Sequence, residues 1–292
     1  MNKDTILLGD VHLGRTFKNG VPLDRRGEIE ELFFKTFEEK LNAQNCTCLI
    51  QLGDLFDSPV VSFDVLMRAK RIIENVKDKE LYFIAGNHDL HRNPKNVPAI
   101  RVLAALLSNQ SNVHFVIDQP VRLDEMLLVP WSYEKDFSEQ FKESGVQTLL
   151  GHFEEPLKPE IMAFNGDVYS GHIHKAHKVA HVNFVGSILP IAFGEENDNT
   201  VMETVDLRTL SEMSEDDLRN KRIRVVLKEG ESLPTDVNCL QLIGKKENKS
   251  ETEDGVQLDV ALEDFDFAKL FKECLAKSGK GEELWAKYLT LR

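Results

Sequence analysis

Short apolar, β-branched runs recur along the first two-thirds of the chain, and each ends on a glycine followed by a polar residue. Thr5-Ile6-Leu7-Leu8 leads into Gly9-Asp10, Cys48-Leu49-Ile50-Gln51-Leu52 into Gly53-Asp54, and Leu81-Tyr82-Phe83-Ile84-Ala85 into Gly86-Asn87. Gln147-Thr148-Leu149-Leu150 before Gly151-His152 and Asp167-Val168-Tyr169-Ser170 before Gly171-His172 repeat the arrangement. Separated by stretches of helical pattern, such runs predict buried strands of an α/β sheet. A polar residue just past a strand's carboxyl end lies where these sheets gather their sites. The glycine allows the turn that aims it.

After residue 205 the pattern changes. Leu210 to Asn220 predicts a short helix, with Ser and acidic residues in its first turn. Arg222 to Leu227 and Val237 to Ile243 alternate as strands, which makes 206–243 a small α+β appendage. Gly244 to Gly255 contains no apolar residue and reads as a loop or linker, so 244–263 becomes a polar connection. Beyond it, Phe267, Leu270, Phe271, Cys274 and Leu275 form one helical stripe and Leu284, Trp285, Tyr288 and Leu289 a second. Ser278-Gly279-Lys280-Gly281 separates them. This hairpin, 264–292, either folds back on its own domain or docks on helices of another protein, with Phe267, Leu270, Phe271, Leu284, Trp285 and Tyr288 as the contact residues.

At 292 residues the chain is long enough for one sizeable core plus an appendage. It contains no apolar run of about 18 residues, and its start reads as a strand rather than a signal, so a soluble cytoplasmic protein is expected. Cys46, Cys48, Cys239 and Cys274 show no paired metal-ligand spacing, and Cys46 and Cys48 read as packing residues. No disulfide framework is expected in a chain of this size and class.

Candidate chemistry lies in the residues after the runs: Asp10-Val11-His12, Gly53-Asp54, Gly86-Asn87-His88-Asp89, Gly151-His152 and Gly171-His172-Ile173-His174. Any one of these alone is an ordinary turn or cap. Five in one order, each behind an apolar run, assemble carboxylate, imidazole and amide donors sufficient for two metal ions. Such donors suit borderline to hard divalent metals, and no thiolate joins them.

On these blocks the chain resembles the calcineurin-like metallophosphoesterases over roughly residues 4 to 205. Asp10-Val11-His12-Leu13-Gly14-Arg15, Gly53-Asp54-Leu55-Phe56-Asp57 and Val185-Gly186-Ser187 resemble the SbcD-type nuclease subunits of recombination and repair complexes in particular. The resemblance implies a β-sandwich flanked by helices for 1–205, a small α+β capping domain for 206–243 and a C-terminal helical hairpin. It further implies that Asp10, His12, Asp54 and His174 hold one metal and that Asp54, Asn87, His152 and His172 hold the other. Asp54 would bridge, since a carboxylate has two oxygens for two ions. Mn2+ is the first choice, with Mg2+ or Fe2+ as alternatives. His88 stays off the metals and protonates the leaving oxygen. Asp89 either orients His88 or a ligand histidine, or caps the following turn. The chain departs from the pattern at Asp57, where many nuclease members carry a catalytic His.

The function so implied is a Mn-dependent DNA exonuclease and endonuclease. It would work with an SbcC-like coiled-coil ATPase in recombination, repair and replication-linked processing, as a homodimer within a heterotetramer of the bacterial or phage-infected cytosol. Charge complicates that reading. The formal balance is −13, whereas proteins that hold duplex DNA are normally basic. Cations do collect beside the motifs: Arg15, Lys18, Arg25 and Arg26 after the first, Arg92, Lys95 and Arg101 after the third, Lys175 and Lys178 after the fifth. Arg15, Arg25, Arg26, Arg92, Lys95 and Lys175 are the DNA-contact candidates. A stand-alone phosphodiesterase or phosphatase for nucleotides or phosphoproteins, and a scaffold for the ATPase, are the alternatives.

Overall fold

The computed structural model of the chain describes residues 4–44, 46–195 and 201–247. Two contact units divide the chain, 1–247 and 248–292, and the polar connection beyond 247 and the helical hairpin with its six contact candidates lie outside the described residues.

The first sheet is wholly parallel, in the order β1 (Thr5–Leu8), β2 (Cys48–Gln51), β3 (Glu80–Ile84), β4 (Val113–Val116). Parallel neighbours need crossovers, supplied by α1 (Glu28–Leu41), α2 (Phe63–Asn75) and α3 (Ala99–Leu106). Helix α1 buries Ile29, Phe33, Phe34, Phe37 and Leu41, and α2 buries Leu66, Ala69, Ile72 and Ile73, the one-sided spacing that packs a helix on a sheet. Ser62 starts α2 by accepting the Val65 N–H at 3.3 Å.

The second sheet has the order β5-β6-β7-β8-β10-β9. Its strands are β5 (Val121–Leu123), β6 (Met126–Val129), β7 (Thr148–Gly151), β8 (Asp167–Ser170), β9 (His177–Val179) and β10 (Val182–Phe184), with the short helices α4 (Ser138–Glu143) and α5 (Pro159–Met162) between β6 and β8. Alternation along the strands divides the core into layers. Ile50, Leu52, Ile84 and Val116 meet Met126, Leu128 and Leu150 between the sheets. Leu49, Leu81 and Phe83 face the helices of the first sheet, while Leu127, Leu149 and Val168 face Phe137, Phe141 and Ile161. The result is the expected sandwich flanked by helices. All five apolar runs are strands; β5 and β9, at the edges of the second sheet, have only three residues and no buried side chain, which leaves no comparable run in the sequence.

A third, three-stranded parallel sheet follows: β11 (Met202–Asp206), β12 (Arg222–Leu227) and β13 (Gln241–Lys246). It runs past both ends of the expected 206–243 segment. The single helix expected over Leu210 to Asn220 is instead two, α6 (Leu207–Glu212) and α7 (Glu215–Arg219). Met213 is extended between them, and Ser214 caps α7 by accepting the Asp217 N–H at 3.2 Å. Val237 to Leu240 precedes the last strand, and Cys239 is buried with Val205, Leu210, Ile223 and Val225 in the small core. Cys46 and Cys239 are buried free thiols and Cys48 is half-buried. No helix among the described residues is long and apolar enough to cross a membrane.

Candidate metal centre

The loops after β1, β2, β3, β7 and β8 meet at one end of the sandwich. The Val11 and His12 N–H groups both donate to Asp54 O at 3.0 Å, and Leu13 N–H donates to Leu55 O at 2.9 Å. Three residues in these loops, His12 (φ 52°), Asp54 (φ 56°) and His172 (φ 74°), occupy the left-handed region. Non-glycine residues adopt it at a cost of about 1–3 kcal/mol, and such strain concentrates at functional sites. Glycine is required where loops nearly touch: a Cβ on Gly53 would lie 2.2 Å from His152 Nδ1, and one on Gly86 2.2 Å from Asp54 Oδ1.

Two clusters of donor atoms result. In the first, Asp10 Oδ2 lies 3.6 Å from His12 Nε2 and 3.5 Å from His174 Nε2, and the two imidazole nitrogens are 3.1 Å apart. In the second, His152 Nε2 lies 2.8 Å from Asn87 Oδ1, 3.2 Å from His172 Nδ1 and 3.2 Å from Asp54 Oδ2, and His172 Nδ1 is 3.1 Å from Asn87 Oδ1. Asp54 Oδ2 is also 3.8 Å from His12 Nε2, between the clusters. Two atoms each about 2.1 Å from one ion stand about 3.0–3.4 Å apart, so these spacings are close to the edges of coordination polyhedra. Asp10 Oδ2, buried with no hydrogen-bond donor, is the orphan acceptor that a cation would satisfy. The donor set therefore fits divalent cations.

Electrostatics agree. Burial opposes charging of His152, but the adjacent Asp54 carboxylate and the charge on Asp10 raise it to about 9. His174, likewise against burial, is raised to about 10 by Asp10 and Glu195. Burial pushes Asp10 and Asp54 up, yet the imidazoles around them hold both below the usual carboxylate range. Burial and the charge on His152 keep His172 low. The protons so held are those a metal would displace.

Two of the four candidate ligand histidines are aimed from behind by a hydrogen bond, and a third has a carboxylate beside its far nitrogen. Nδ1 of His152 lies 2.9 Å from Leu52 O, that of His174 3.1 Å from Glu195 Oε1, and that of His12 3.3 Å from Asp57 Oδ1. All three present Nε2, and at His152 and His174 the acceptor fixes the tautomer as it does for a ligand histidine, whereas His172 faces its cluster through Nδ1. Trp131 stacks on His172 at 5.9 Å and 18°. Sequence reasoning missed Glu195 and Trp131, since neither belongs to a motif and only folding brings them to the site.

The remaining candidates separate. His88 is exposed, with its ring Nδ1 2.9 Å from Asp57 O and its backbone N–H donating to Asp54 Oδ1 at 2.8 Å. It also forms a third possible donor group with His12 and Asp57. Asp57 pairs with Arg15 at 2.9 Å. Asp89 is fully buried and accepts the N–H groups of Phe56 (2.9 Å), Gly86 (3.0 Å) and Leu55 (3.2 Å). It thus joins the second loop to the third rather than orienting a histidine, and burial beside the charged Asp54 raises it to about 7 despite those donors.

Arg25 corrects the list of DNA contacts. It is buried, pairs with Glu28 at 2.6 Å and donates to Arg219 O at 2.6 Å, so it fastens the third sheet's connection instead of meeting a ligand. Arg26, Arg92, Lys95 and Lys175 are exposed, and Arg101 is paired with Asp118.

Residues 4–176 match the family described as Calcineurin-like phosphoesterase. The chain is 25% identical over 307 aligned positions to exonuclease subunit 1 of Enterobacteria phage T4, covering 87% of each protein. Among solved structures it is similar to Pseudomonas putida nuclease MPE, 18% identical over 64% of this chain and 74% of that one, with a TM-score of 0.36.

Proposed function

The chain belongs to the calcineurin-like phosphoesterase family, whose members use divalent metals, and we propose that it cleaves phosphodiester bonds of DNA as the nuclease subunit of a larger assembly. The observation that carries this reading is the convergence of seven donor side chains from five loops into two adjoining clusters. The length over which the chain aligns with an exonuclease subunit supports the choice of DNA as substrate.

In this proposal Asp10, His12, Asp54 and His174 hold one cation, Asp54, Asn87, His152 and His172 the other, and Asp54 is shared. Mn2+ suits the mixed nitrogen and oxygen set best, with Mg2+ or Fe2+ as alternatives. When bound, such cations supply the positive charge that polarises a phosphoryl group and acidifies a water. The chain's own groups do the rest. Asp57 O accepts from His88 Nδ1, which leaves His88 Nε2 toward the site; with both ring nitrogens protonated, His88 gives the Nε2 proton to the leaving oxygen and keeps the one on Nδ1. Asp57 stands where related nucleases carry a His, with its carboxylate 3.3 Å from His12 Nδ1 and paired with Arg15. Arg15, Arg26, Arg92, Lys95 and Lys175 contact the phosphate backbone.

The partner we propose is an SbcC-like coiled-coil ATPase, gripped by 264–292 within a heterotetramer built on a homodimer, in recombination, repair and replication-linked processing in the cytosol. A net charge of −13 supports a weak DNA binder that gains affinity from that partner. Bis(p-nitrophenyl) phosphate hydrolysis tests the core reading. The full chain with Mn2+ should prefer this diester to p-nitrophenyl phosphate and degrade linear DNA; preference for the monoester, or no cleavage of DNA with the ATPase present, overturns it. Deleting 264–292 should spare diester hydrolysis and abolish ATP-stimulated digestion of long duplexes. A truncated chain that still co-purifies with the ATPase removes the docking role.

A further inference from the structure

Arg222 opens β12, yet it is 3% exposed and makes no ion pair among the described residues. A buried guanidinium is costly unless its donors are used, and burial lowers this one to about 10. Each of its three nitrogens donates a hydrogen bond, two to the 190–191 carbonyls and one to the adjacent strand. Nη1 donates to Pro190 O at 2.6 Å, Nη2 to Ile191 O at 2.8 Å, and Nε to Gln241 Oε1 at 2.8 Å. Its guanidinium carbon lies 4.5 Å from the centre of the Phe17 ring and 5.7 Å from that of Phe193. Gln241, on β13, in turn donates to Asn19 O at 2.7 Å.

The turn that Arg222 grips by its carbonyls is held on its other edge by Glu195. Glu195 Oε2 accepts the N–H groups of Ile191 and Ala192, each at 2.9 Å. Its second oxygen, Oε1, stands 3.1 Å from His174 Nδ1. A continuous path of short bonds therefore runs from the third sheet through the 190–195 turn to His174. Among the described residues the second donor cluster shows no such connection: His152 is anchored on Leu52 O at the end of β2, and His172 rests on Trp131, both parts of the sandwich.

We propose that Arg222 is a positioning residue through which the three-stranded sheet sets Glu195 and His174, so that the cation affinity of the Asp10/His12/His174 cluster depends on this sheet and that of the Asp54/Asn87/His152/His172 cluster does not. The inference rests on the cation assignment made above. A displacement of the third sheet by DNA or a partner would then act on one of the two cations.

Mn2+ titration of the full chain, by calorimetry and by electron paramagnetic resonance of free Mn2+, tests it without reference to activity. Arg222→Gln and Glu195→Gln should each weaken one of two Mn2+ sites by about 10- to 100-fold, the usual cost of losing a group behind a ligand, and leave the second unchanged. The double variant should be no weaker than Glu195→Gln alone, because both act along one path. Equal weakening of both sites, no weakening, or additive losses would overturn the proposal. If Arg222→Gln does not fold, Arg222→Lys keeps the charge without the two-carbonyl grip; it should weaken the same site to a smaller degree, and an unchanged site counts against the proposal. His174→Ala separates the two levels. If it spares both sites, the cation assignment fails; if it weakens one that the Arg222 and Glu195 variants spare, only the positioning role fails.

Discussion

Gly53→Ala, read against Gly27→Ala, isolates the cost of bringing the second and fourth loops into contact. Both glycines have positive φ, 100° at Gly53 and 94° at Gly27. Around Gly27 a new methyl would meet nothing within 4 Å, whereas at Gly53 it would lie 2.2 Å from Nδ1, 2.6 Å from Cγ and 2.8 Å from Cβ of His152. The shared backbone strain is about 1–2 kcal/mol, offset by about 0.4–1 kcal/mol from the stiffer unfolded chain. Gly27→Ala should therefore cost about 1 kcal/mol. Gly53→Ala adds about 1–3 kcal/mol for overpacking and about 1 kcal/mol for the strained bond between His152 Nδ1 and Leu52 O, about 3–5 kcal/mol in all. Urea unfolding in EDTA measures the difference with metal linkage removed. Equal midpoints for the two variants would refute the argument that the close approach, and not the dihedral, demands glycine. The Gly53→Ala variant should also bind less Mn2+ in the cluster that contains His152.

Asp54→Asn should lower occupancy of both cations, and His12→Ala mainly one; anomalous scattering from Mn-soaked crystals decides, and two full ions in Asp54→Asn would remove the bridging role. His88→Asn should keep metal and DNA binding near normal while slowing turnover by about 10²-fold or more, and parallel loss of metal would make it a ligand instead. His152 and His174, raised to about 9 and about 10 from 6.5, bind protons more tightly folded than unfolded. Their stabilisation of the metal-free chain is complete below about pH 6.5 and drains away as pH rises through 9 to 10. Denaturation in EDTA across that range checks the sign, and calorimetry in buffers of different ionisation heat should show proton release on Mn2+ uptake near neutral pH. Stability that climbs over this window, or uptake without proton release, would contradict the raised values.

Much of the architecture is readable from spacing alone, because a strand buried on both faces must be apolar throughout and must stop where a glycine turns the chain. Leu49, Ile50 and Leu52 before Gly53, and Leu149 and Leu150 before Gly151, are fully buried and show this directly. Arg25 misleads because its neighbours Arg26 and Lys18 make it look like part of a cationic surface, and nothing local announces that Glu28 and the Arg219 carbonyl close over it. Asp89 stands between two roles in the sequence, since an aspartate beside a histidine is equally placed to orient it or to cap the following turn. The fold adds a third by bringing the Leu55 and Phe56 N–H groups, more than thirty residues away, against its carboxylate.

What the sequence determined by itself is the list of donors and the strand ends that carry them, since both are local properties of composition and period. What only the tertiary structure decided is how those donors are held: the left-handed backbone at His12, Asp54 and His172, the Nδ1 acceptors that turn Nε2 of His152 and His174 inward, and the path from Arg222 to Glu195. These depend on contacts between segments up to about 160 residues apart. Such contacts leave no periodic trace along the chain, because each consists of one residue meeting one other across a loop, and it is packing, not pattern, that selects the pair.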